Sequence, residues 1–190
     1  MGKFGNIPQQ HTLENCIDCD PGKYSNISGI TNIGDCHICL GGKYNLEFGN
    51  FNNILENVLG GGGLNTASGY SSTIGGGRCN AASGNCSTIS GGYAGTASGY
   101  MSTVSGGQSN TASGSRATVA GGLTNVASGD CSFIGGGKSN TASAGYAFIG
   151  GGKSNTANST WATVGGGLSN TASGNKSTAS GGWLNTASGY

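Results

Sequence analysis

Residues 104–118 read VSGGQSNTASGSRAT, and residues 119–133, which follow at once, read VAGGLTNVASGDCSF. The two stretches share an aliphatic first residue, a pair of glycines and an Asn-x-Ala-Ser-Gly segment. The same alignment, extended in both directions, gives a fifteen-residue repeat over residues 59–190, with eight full repeats and a partial ninth. We number the repeat positions from the aliphatic residue, so Val104 and Val119 occupy position 1. A fixed period of this kind is the signature of a repeat architecture.

The composition limits what kind of core the chain can build. Glycine accounts for 41 of the 190 residues, and only 8% of the residues are charged. Large apolar side chains are too few for a conventional globular core, and a composition of this kind is typical either of disorder or of a repeat fold with a thin core. The strict period favours the repeat fold.

Each repeat has the right length for one coil with two short strands and two turns. Because side chains alternate across a strand, the aliphatic residue at position 1 and the alanine at position 9 should both point inward. The glycines at positions 3 and 4 would form one turn, since glycine adopts positive φ without steric cost, and the glycine at position 11 with its neighbours would form the other. We therefore predict an all-β fold, a parallel β-solenoid or β-roll. Its inner aliphatic column contains Ile74, Ile89, Val104, Val119, Ile134, Ile149 and Val164.

A second column, at position 7, is almost entirely asparagine. Stacked asparagine amides can hydrogen-bond from rung to rung and so stabilise stacked strands. Only Gly95 interrupts this column. The predicted ladder consists of Asn65, Asn80, Asn110, Asn125, Asn140, Asn155, Asn170 and Asn185.

The variable positions of the repeat contain its charged residues, its tyrosines and its tryptophans. They follow the glycine pair, at position 5, or the Ser-Gly step, at positions 12 and 13. A buried charge without a partner is costly, so we expect these positions to lie at exposed turns.

Threonine recurs at positions 8 and 15, which should face outward. Strand propensity and recent duplication of the repeat would explain this pattern, and so would packing of the outer face against neighbouring chains. A thin core favours the second explanation, because so small a buried area hardly offsets the chain entropy by itself.

Residues 112–122 read ASGSRATVAGG, and such units resemble the head repeats of trimeric autotransporter adhesins. The resemblance covers residues 59–190. It implies left-handed parallel β-rolls that associate as homotrimers on a cell surface. This chain differs from the family in its repeat length and in having Gly-Gly where the family often has Ala-Ile-Gly.

Residues 1–58 form a separate region, for which we predict a small disulfide-rich N-terminal module. Cys16 and Cys19 make one Cys-x2-Cys pair, and Cys36 and Cys39 make a second. This spacing is compatible with a structural zinc site. Each pair also begins a unit that ends in Gly-x-Tyr, and these units resemble the cysteine-rich repeats of ephrin receptors and tumour-necrosis-factor receptors. That resemblance implies disulfides rather than zinc, in an extracellular protein.

Three further cysteines lie in the repeats. Cys79 and Cys86 share a rung, at positions 6 and 13, and are candidates for a disulfide. Cys131 occupies the same repeat position as Cys86, but three rungs further on, which is too far for a bond within one straight rod. Glycosylation sequons begin at Asn26, Asn85, Asn158 and Asn175.

The sequence offers no catalytic constellation. Both histidines, His11 and His37, lie in the N-terminal region, and Asp130 is the one acid of the repeats. We therefore expect a protein that is not an enzyme and that uses neither cofactor nor metal. A formal net charge of +1 does not indicate a basic surface for binding nucleic acid. No stretch approaches the roughly 20 apolar residues of a membrane span.

These features favour an extracellular structural protein of a cell or particle surface, which forms a rod or filament by self-association, as a homotrimer or end to end, and carries covalent glycans. An adhesin head that binds a surface or a glycan through its exposed aromatic residues is the alternative. Ice binding through the outer hydroxyls is the least favoured hypothesis, because a regular Thr-x-Thr pattern is missing and Lys and Trp residues would flank the face.

Overall fold

The computed structural model describes residues 57–189, which form a parallel β-solenoid of about nine turns. Every turn contributes two strands of two residues each, and the eighteen strands alternate along the chain between two nine-stranded sheets. The odd-numbered strands end on the residue of position 1 and form what we call the aliphatic sheet. The even-numbered strands end on alanine and form the alanine sheet.

The aliphatic sheet consists of β1 (Val58–Leu59), β3 (Thr73–Ile74), β5 (Thr88–Ile89), β7 (Thr103–Val104), β9 (Thr118–Val119), β11 (Phe133–Ile134), β13 (Phe148–Ile149), β15 (Thr163–Val164) and β17 (Thr178–Ala179). The alanine sheet consists of β2 (Thr66–Ala67), β4 (Ala81–Ala82), β6 (Thr96–Ala97), β8 (Thr111–Ala112), β10 (Val126–Ala127), β12 (Thr141–Ala142), β14 (Thr156–Ala157), β16 (Thr171–Ala172) and β18 (Thr186–Ala187).

Each strand pairs in parallel with the equivalent strand of the next turn, in a register of fifteen residues. Val104 pairs with Val119 in the aliphatic sheet, and Ala112 pairs with Ala127 in the alanine sheet. Identical repeat positions therefore stack in columns along the solenoid. At the usual strand spacing of about 4.8 Å, nine rungs make a rod of roughly 40 Å.

The core is the narrow space between the two sheets. The seven isoleucines and valines of the predicted inner column are all completely buried, and alanines of position 9 lie opposite them. Threonines at positions 8 and 15 face outward and are half-buried in most rungs. The predicted alternation of inward and outward positions is confirmed.

Two features of the turns agree only partly with the sequence prediction. Glycine at position 4 has a positive φ in every turn, as expected, for example +84° at Gly107. The second turn does not use the glycine of position 11 in this way. Its left-handed residue stands at position 13 and is not glycine, as at Arg116, where φ is 57°.

A third ladder was not anticipated. The residues of position 5 form single parallel bridges from turn to turn, which run from Gly63 to Trp183. Position 6 follows each bridge and is again left-handed without being glycine in all nine rungs, as at Ser109, with φ 54°. Each coil thus has two strands, one bridge and two tight corners.

The solenoid begins slightly before the predicted boundary at residue 59. Val58 belongs to β1, and the Asn57 side chain accepts a hydrogen bond from the Ser72 N–H at 3.0 Å. The predicted cysteine-rich module lies outside the described residues, apart from these two positions, and so do Cys16, Cys19, Cys36, Cys39 and Asn26.

Candidate functional surfaces

The asparagine column lies inside the solenoid and uses its hydrogen-bonding groups in a repeated way. The Asn125 Oδ1 accepts the backbone N–H of Asn140 in the next rung at 2.9 Å. The Asn125 Nδ2 donates to the carbonyl of Gly121 in its own rung at 2.9 Å and to that of Gly137 in the next rung at 3.0 Å. Each amide thus ties the strand to the glycine turn and each rung to its neighbour.

The predicted asparagine ladder is therefore present, but its rungs are joined mainly through the backbone. Direct contacts between side-chain amides occur from Asn80 to Asn65, at 3.1 Å, and from Asn170 to Asn155, at 3.3 Å. The asparagines from Asn80 to Asn170 are buried, whereas Asn65 and Asn185 in the end rungs are not. The buried asparagines of this column stabilise the stacking of the rungs.

Position 14 is a further inward column that the sequence analysis did not identify. It contains Ser72, Ser87, Ser102, Ala117, Ser132, Ala147, Ala162 and Ser177. The hydroxyls of Ser87, Ser102, Ser132 and Ser177 are buried and have no hydrogen-bond partner. The Ser72 hydroxyl differs, because it lies 3.1 Å from the Asn57 Oδ1. The restriction of this position to serine and alanine could have indicated an interior site with room only for a small side chain.

The charged residues of the repeats are all exposed, as predicted, and lie either on the bridge ladder or at a corner. Arg78, Lys138 and Lys153 occupy position 5, and Arg116, Asp130 and Lys176 occupy positions 12 and 13. The Asp130 Oδ1 accepts the Ser115 N–H at 3.0 Å, and the Arg116 guanidinium carbon lies 5.9 Å from the centre of the Tyr100 ring. Among residues 57–189, histidine, cysteine and acidic side chains form no group of three or more that could hold a metal ion.

Four aromatic residues lie close together in sequence on consecutive rungs. Phe133 and Phe148 replace threonine at position 15, and their rings stack with centroids 5.4 Å apart and planes 9° apart. Tyr146 and Trp161 stack at position 13, with centroids 4.0 Å apart and planes 5° apart. Phe148 is 41% exposed and Trp161 is 51% exposed, so both stacks meet solvent.

The phenylalanine rings lie over glycines of the aliphatic sheet. A Cβ atom added to Gly135 would stand 3.5 Å from the Phe133 ring, and one added to Gly150 would stand 3.7 Å from the Phe148 ring. The absence of side chains at these two glycines lets the rings lean across the strand. Two consecutive phenylalanines at position 15 were the sequence signal for this feature, and the prediction overlooked them.

The outer side of the alanine sheet is chemically uniform. Position 8 is threonine in seven of its nine rungs, and position 10 is serine in eight of nine. Ala81, Val126 and Asn158 are the exceptions. Every residue at position 10 is exposed. We call the outer side of positions 8 and 10 the hydroxyl face.

The cysteines of the solenoid are free thiols. Cys79 and Cys86, which were candidates for a disulfide, are not bonded to each other, and both are half-buried, as is Cys131. The physical reason is their placement: Cys79 occupies position 6 at one corner of the coil, and Cys86 occupies position 13 at the other. The predicted Cys79–Cys86 pairing is therefore wrong.

Three of the predicted glycosylation sequons lie in the described part of the chain. Asn85, Asn158 and Asn175 are all exposed. The Asn85 Oδ1 accepts the Tyr70 N–H at 3.1 Å, which leaves the Asn85 amide nitrogen without a bond inside the chain. Exposure makes all three asparagines accessible acceptors, and their glycosylation stays a prediction.

Within residues 57–189, no helical segment has the length and apolar character that crossing a membrane requires. The sequence matches no protein-family model, and no curated protein shows significant similarity to it. The fold thus defines the class, a parallel β-solenoid built from fifteen-residue repeats. The resemblance to adhesin heads rests on the repeat residues alone.

Proposed function

We propose that this chain is a structural protein of an extracellular cell or particle surface, and that it works as a self-associating rod. The observation that carries the proposal is the stacked pair of Phe133 and Phe148 on the outer side of the aliphatic sheet. Six other rungs have threonine at this position. Replacing threonine by an exposed aromatic ring costs solubility unless the ring is covered in the assembled state.

The interior of the solenoid supports the same proposal. Its largest completely buried apolar side chains are four isoleucines and three valines, and the remaining buried apolar residues are alanines. A core this thin gains little free energy per residue from burial, so contact with another molecule would add a substantial share of the stability. A rod that is assembled from several chains supplies that contact.

A second copy of the chain fits the outer side of the aliphatic sheet. Position 15 presents threonine or phenylalanine in the rungs from β3 to β17, and position 2 presents glycine, serine or alanine, so a column of larger side chains runs beside a column of small ones. Neither position contains a charged residue, and two such surfaces would meet without like-charge repulsion. The adhesin resemblance favours three chains around an axis. End-to-end growth is also compatible with the fold, because each rung forms the same backbone bonds with the next.

The test is sedimentation equilibrium of the full chain and of the double variant Phe133→Thr/Phe148→Thr. Threonine is the residue of this position in other rungs, so the variant should fold, as far-UV circular dichroism would check. We expect the parent chain to assemble and the variant to be monomeric at the same concentration. Val126→Thr is the matched control, since it restores the common residue on the opposite sheet and should leave assembly unchanged. A parent chain that stays monomeric, or a variant that assembles as the parent does, would contradict the proposal.

The Tyr146–Trp161 stack favours a second function, that of an adhesin head. Both rings stand at a corner, and each is about half exposed, with 49% for Tyr146 and 51% for Trp161. Exposed aromatic side chains with a polar tip are frequent at binding surfaces. If the chain is monomeric, a glycan array probed with the parent chain and with Tyr146→Ser/Trp161→Ser would distinguish this function: binding that only the parent shows would support it.

A further inference from the structure

We propose that the hydroxyl face of the alanine sheet binds ice, through the threonines of position 8 and the serines of position 10. This function is separate from self-association, which uses the opposite sheet. The ligand is an ordered lattice of water, and the proposal rests on the regularity of the face, on its chemistry and on the free hydroxyls that it presents.

The regularity follows from the hydrogen bonds that set the rungs. The backbone N–H of position 8 donates to the carbonyl of position 7 in the next rung at 2.8 Å from Thr111, 2.9 Å from Val126 and 2.8 Å from Thr141. The same bond measures 2.8 Å at Thr156 and Thr171. A constant register places successive hydroxyls about 4.8 Å apart along the rod, and positions 8 and 10 lie about 6.6 Å apart along the strand.

The interior favours an even stacking of the rungs on this face. The strand residue that points inward is alanine in all nine rungs, so no large side chain pushes one rung out of line. Apart from the rung of Gly95, the asparagine column directly beside this strand makes the same hydrogen bonds in rung after rung, and side-chain ladders of this kind counter the usual twist of a sheet. A flat and repetitive grid of surface groups is what a crystalline ligand requires.

The chemistry of the face suits water better than protein or sugar. The described charges stand at positions 5, 12 and 13, on the bridge ladder or at a corner, and Trp161 stands at position 13, so none of them lies on the face. Positions 8 and 10 contain no aromatic ring for a sugar to stack on and no large apolar group for a second chain to bury. Val126 has the shape of threonine and replaces one hydroxyl by a methyl group, so it preserves the outline of the grid.

The hydroxyls of the face are free for an external ligand. In residues 57–189, no hydrogen bond within the chain involves the side-chain oxygen of a position 8 threonine or of a position 10 serine. The neighbouring position 6 differs, because there the Thr124 hydroxyl bonds to the Leu123 carbonyl at 2.7 Å. Each threonine side chain of the face also carries a methyl group, so the face contains both hydroxyl and methyl groups.

The experiment measures ice recrystallisation with the full chain in a frozen sucrose solution. Thermal hysteresis is measured separately, on a single ice crystal in a solution of the chain. Thr111→Lys/Thr141→Lys places two charges on the hydroxyl face, two rungs apart. Tyr93→Lys/Leu123→Lys places the same two charges at position 5, where Lys138 and Lys153 already stand, at the same separation, and is the control. We expect the parent chain and the control to arrest ice growth and the hydroxyl-face variant to lose this activity, with all three showing the same circular dichroism spectrum.

The inference is overturned if the parent chain leaves ice growth unchanged, or if the hydroxyl-face variant is as active as the parent. Sedimentation of the same variants separates this outcome from the self-association proposal. The hydroxyl-face variant should assemble as the parent does, because its substitutions lie on the sheet that faces away from the proposed chain contact.

Discussion

At the scale of single residues, the solenoid depends on polar groups that are satisfied in nearly identical ways in each rung. Gly95 is the exception in the asparagine column. Its N–H still donates to the Asn80 Oδ1, at 2.8 Å, but it has no side chain to accept the Asn110 N–H of the next rung. It also supplies no amide for the carbonyls of its own turn, which Asn125 and its equivalents bond in other rungs.

Gly95→Asn should therefore stabilise the solenoid. A Cβ atom at this residue would stand 3.1 Å from the Asn80 Oδ1 and 3.5 Å from the Val104 Cγ1, so the substitution requires shifts of only tenths of an ångström. The three restored hydrogen bonds and the lower entropy of the unfolded chain should raise the free energy of unfolding by about 1 kcal/mol. Urea titration would measure the change. Gly95→Ala is the control, and equal stability of the two variants would show that the amide bonds contribute nothing.

Ser102→Ala should also stabilise the fold. The Ser102 hydroxyl is buried without a partner, and alanine occupies the same position in three other rungs, at Ala117, Ala147 and Ala162. Removal of an unsatisfied hydroxyl should add about 1 kcal/mol to the free energy of unfolding. Ser72→Ala is the matched control, because the Ser72 hydroxyl is bonded to Asn57 and its loss should destabilise. Thermal melts that shift in the same direction for both variants would contradict this interpretation.

At the scale of strands and turns, each coil is fixed by its corners, and the two glycines of the glycine pair differ in their importance. Gly122 at position 4 has a φ of +92°, and a Cβ atom there would overlap the Gly137 carbonyl oxygen of the next rung. Gly121 at position 3 has no atom within 4 Å of where its Cβ would stand. At this turn, the close approach of one rung to the next therefore depends on position 4.

Alanine substitutions at these two glycines should differ strongly in their effect on stability. Gly122→Ala should lower the free energy of unfolding by at least about 2 kcal/mol, since it combines a left-handed backbone with a steric overlap. Gly121→Ala should change it by no more than about 0.5 kcal/mol. Thermal unfolding followed by circular dichroism would compare the two variants. Similar melting temperatures would show that the turn can rearrange, against the geometry described here.

The strands could be predicted from the sequence because the period and the alternation of inward and outward residues agree in every repeat. The corners could not. Residues such as Cys86, Arg116 and Trp161 disfavour positive φ, so their sequence gives no sign of it. The structure stabilises these corners through bonds between rungs, as where the Cys86 N–H donates to the Tyr70 carbonyl at 2.7 Å. Tertiary hydrogen bonding thus overrides local preference at positions 6 and 13.

At the scale of the whole molecule, the rod has two outer faces of different character. The aliphatic sheet presents the stacked phenylalanines, and the alanine sheet presents the hydroxyl face. The sequence indicated repeated outward threonines on both sheets. It could not show that the two outer faces differ, because positions 8 and 15 are both mostly threonine. The difference arises from two substitutions, Phe133 and Phe148, which stack only because they occupy adjacent rungs.

Assembly of the rods should be insensitive to ionic strength. Since the proposed contact contains no charged residue at positions 15 and 2, screening removes no attraction between the chains, even at about 1 M salt. Burial of phenylalanine should instead strengthen in sulfate, which is excluded from protein surfaces. Sedimentation at low and high salt would check this. Dissociation of the assembly in sodium chloride would indicate that the corner charges, rather than the aromatic rings, hold the chains together.

The most direct test of the account is cryo-electron microscopy of the assembled full chain beside the Phe133→Thr/Phe148→Thr variant. We expect rods that lie side by side, with axial power near 4.8 Å from the stacked rungs and with the phenylalanine-bearing sheets turned toward one another. The variant should give separate rods with the same axial spacing. Assemblies without this spacing would contradict the in-register solenoid. Assemblies that persist unchanged in the variant would contradict the role of the phenylalanine pair.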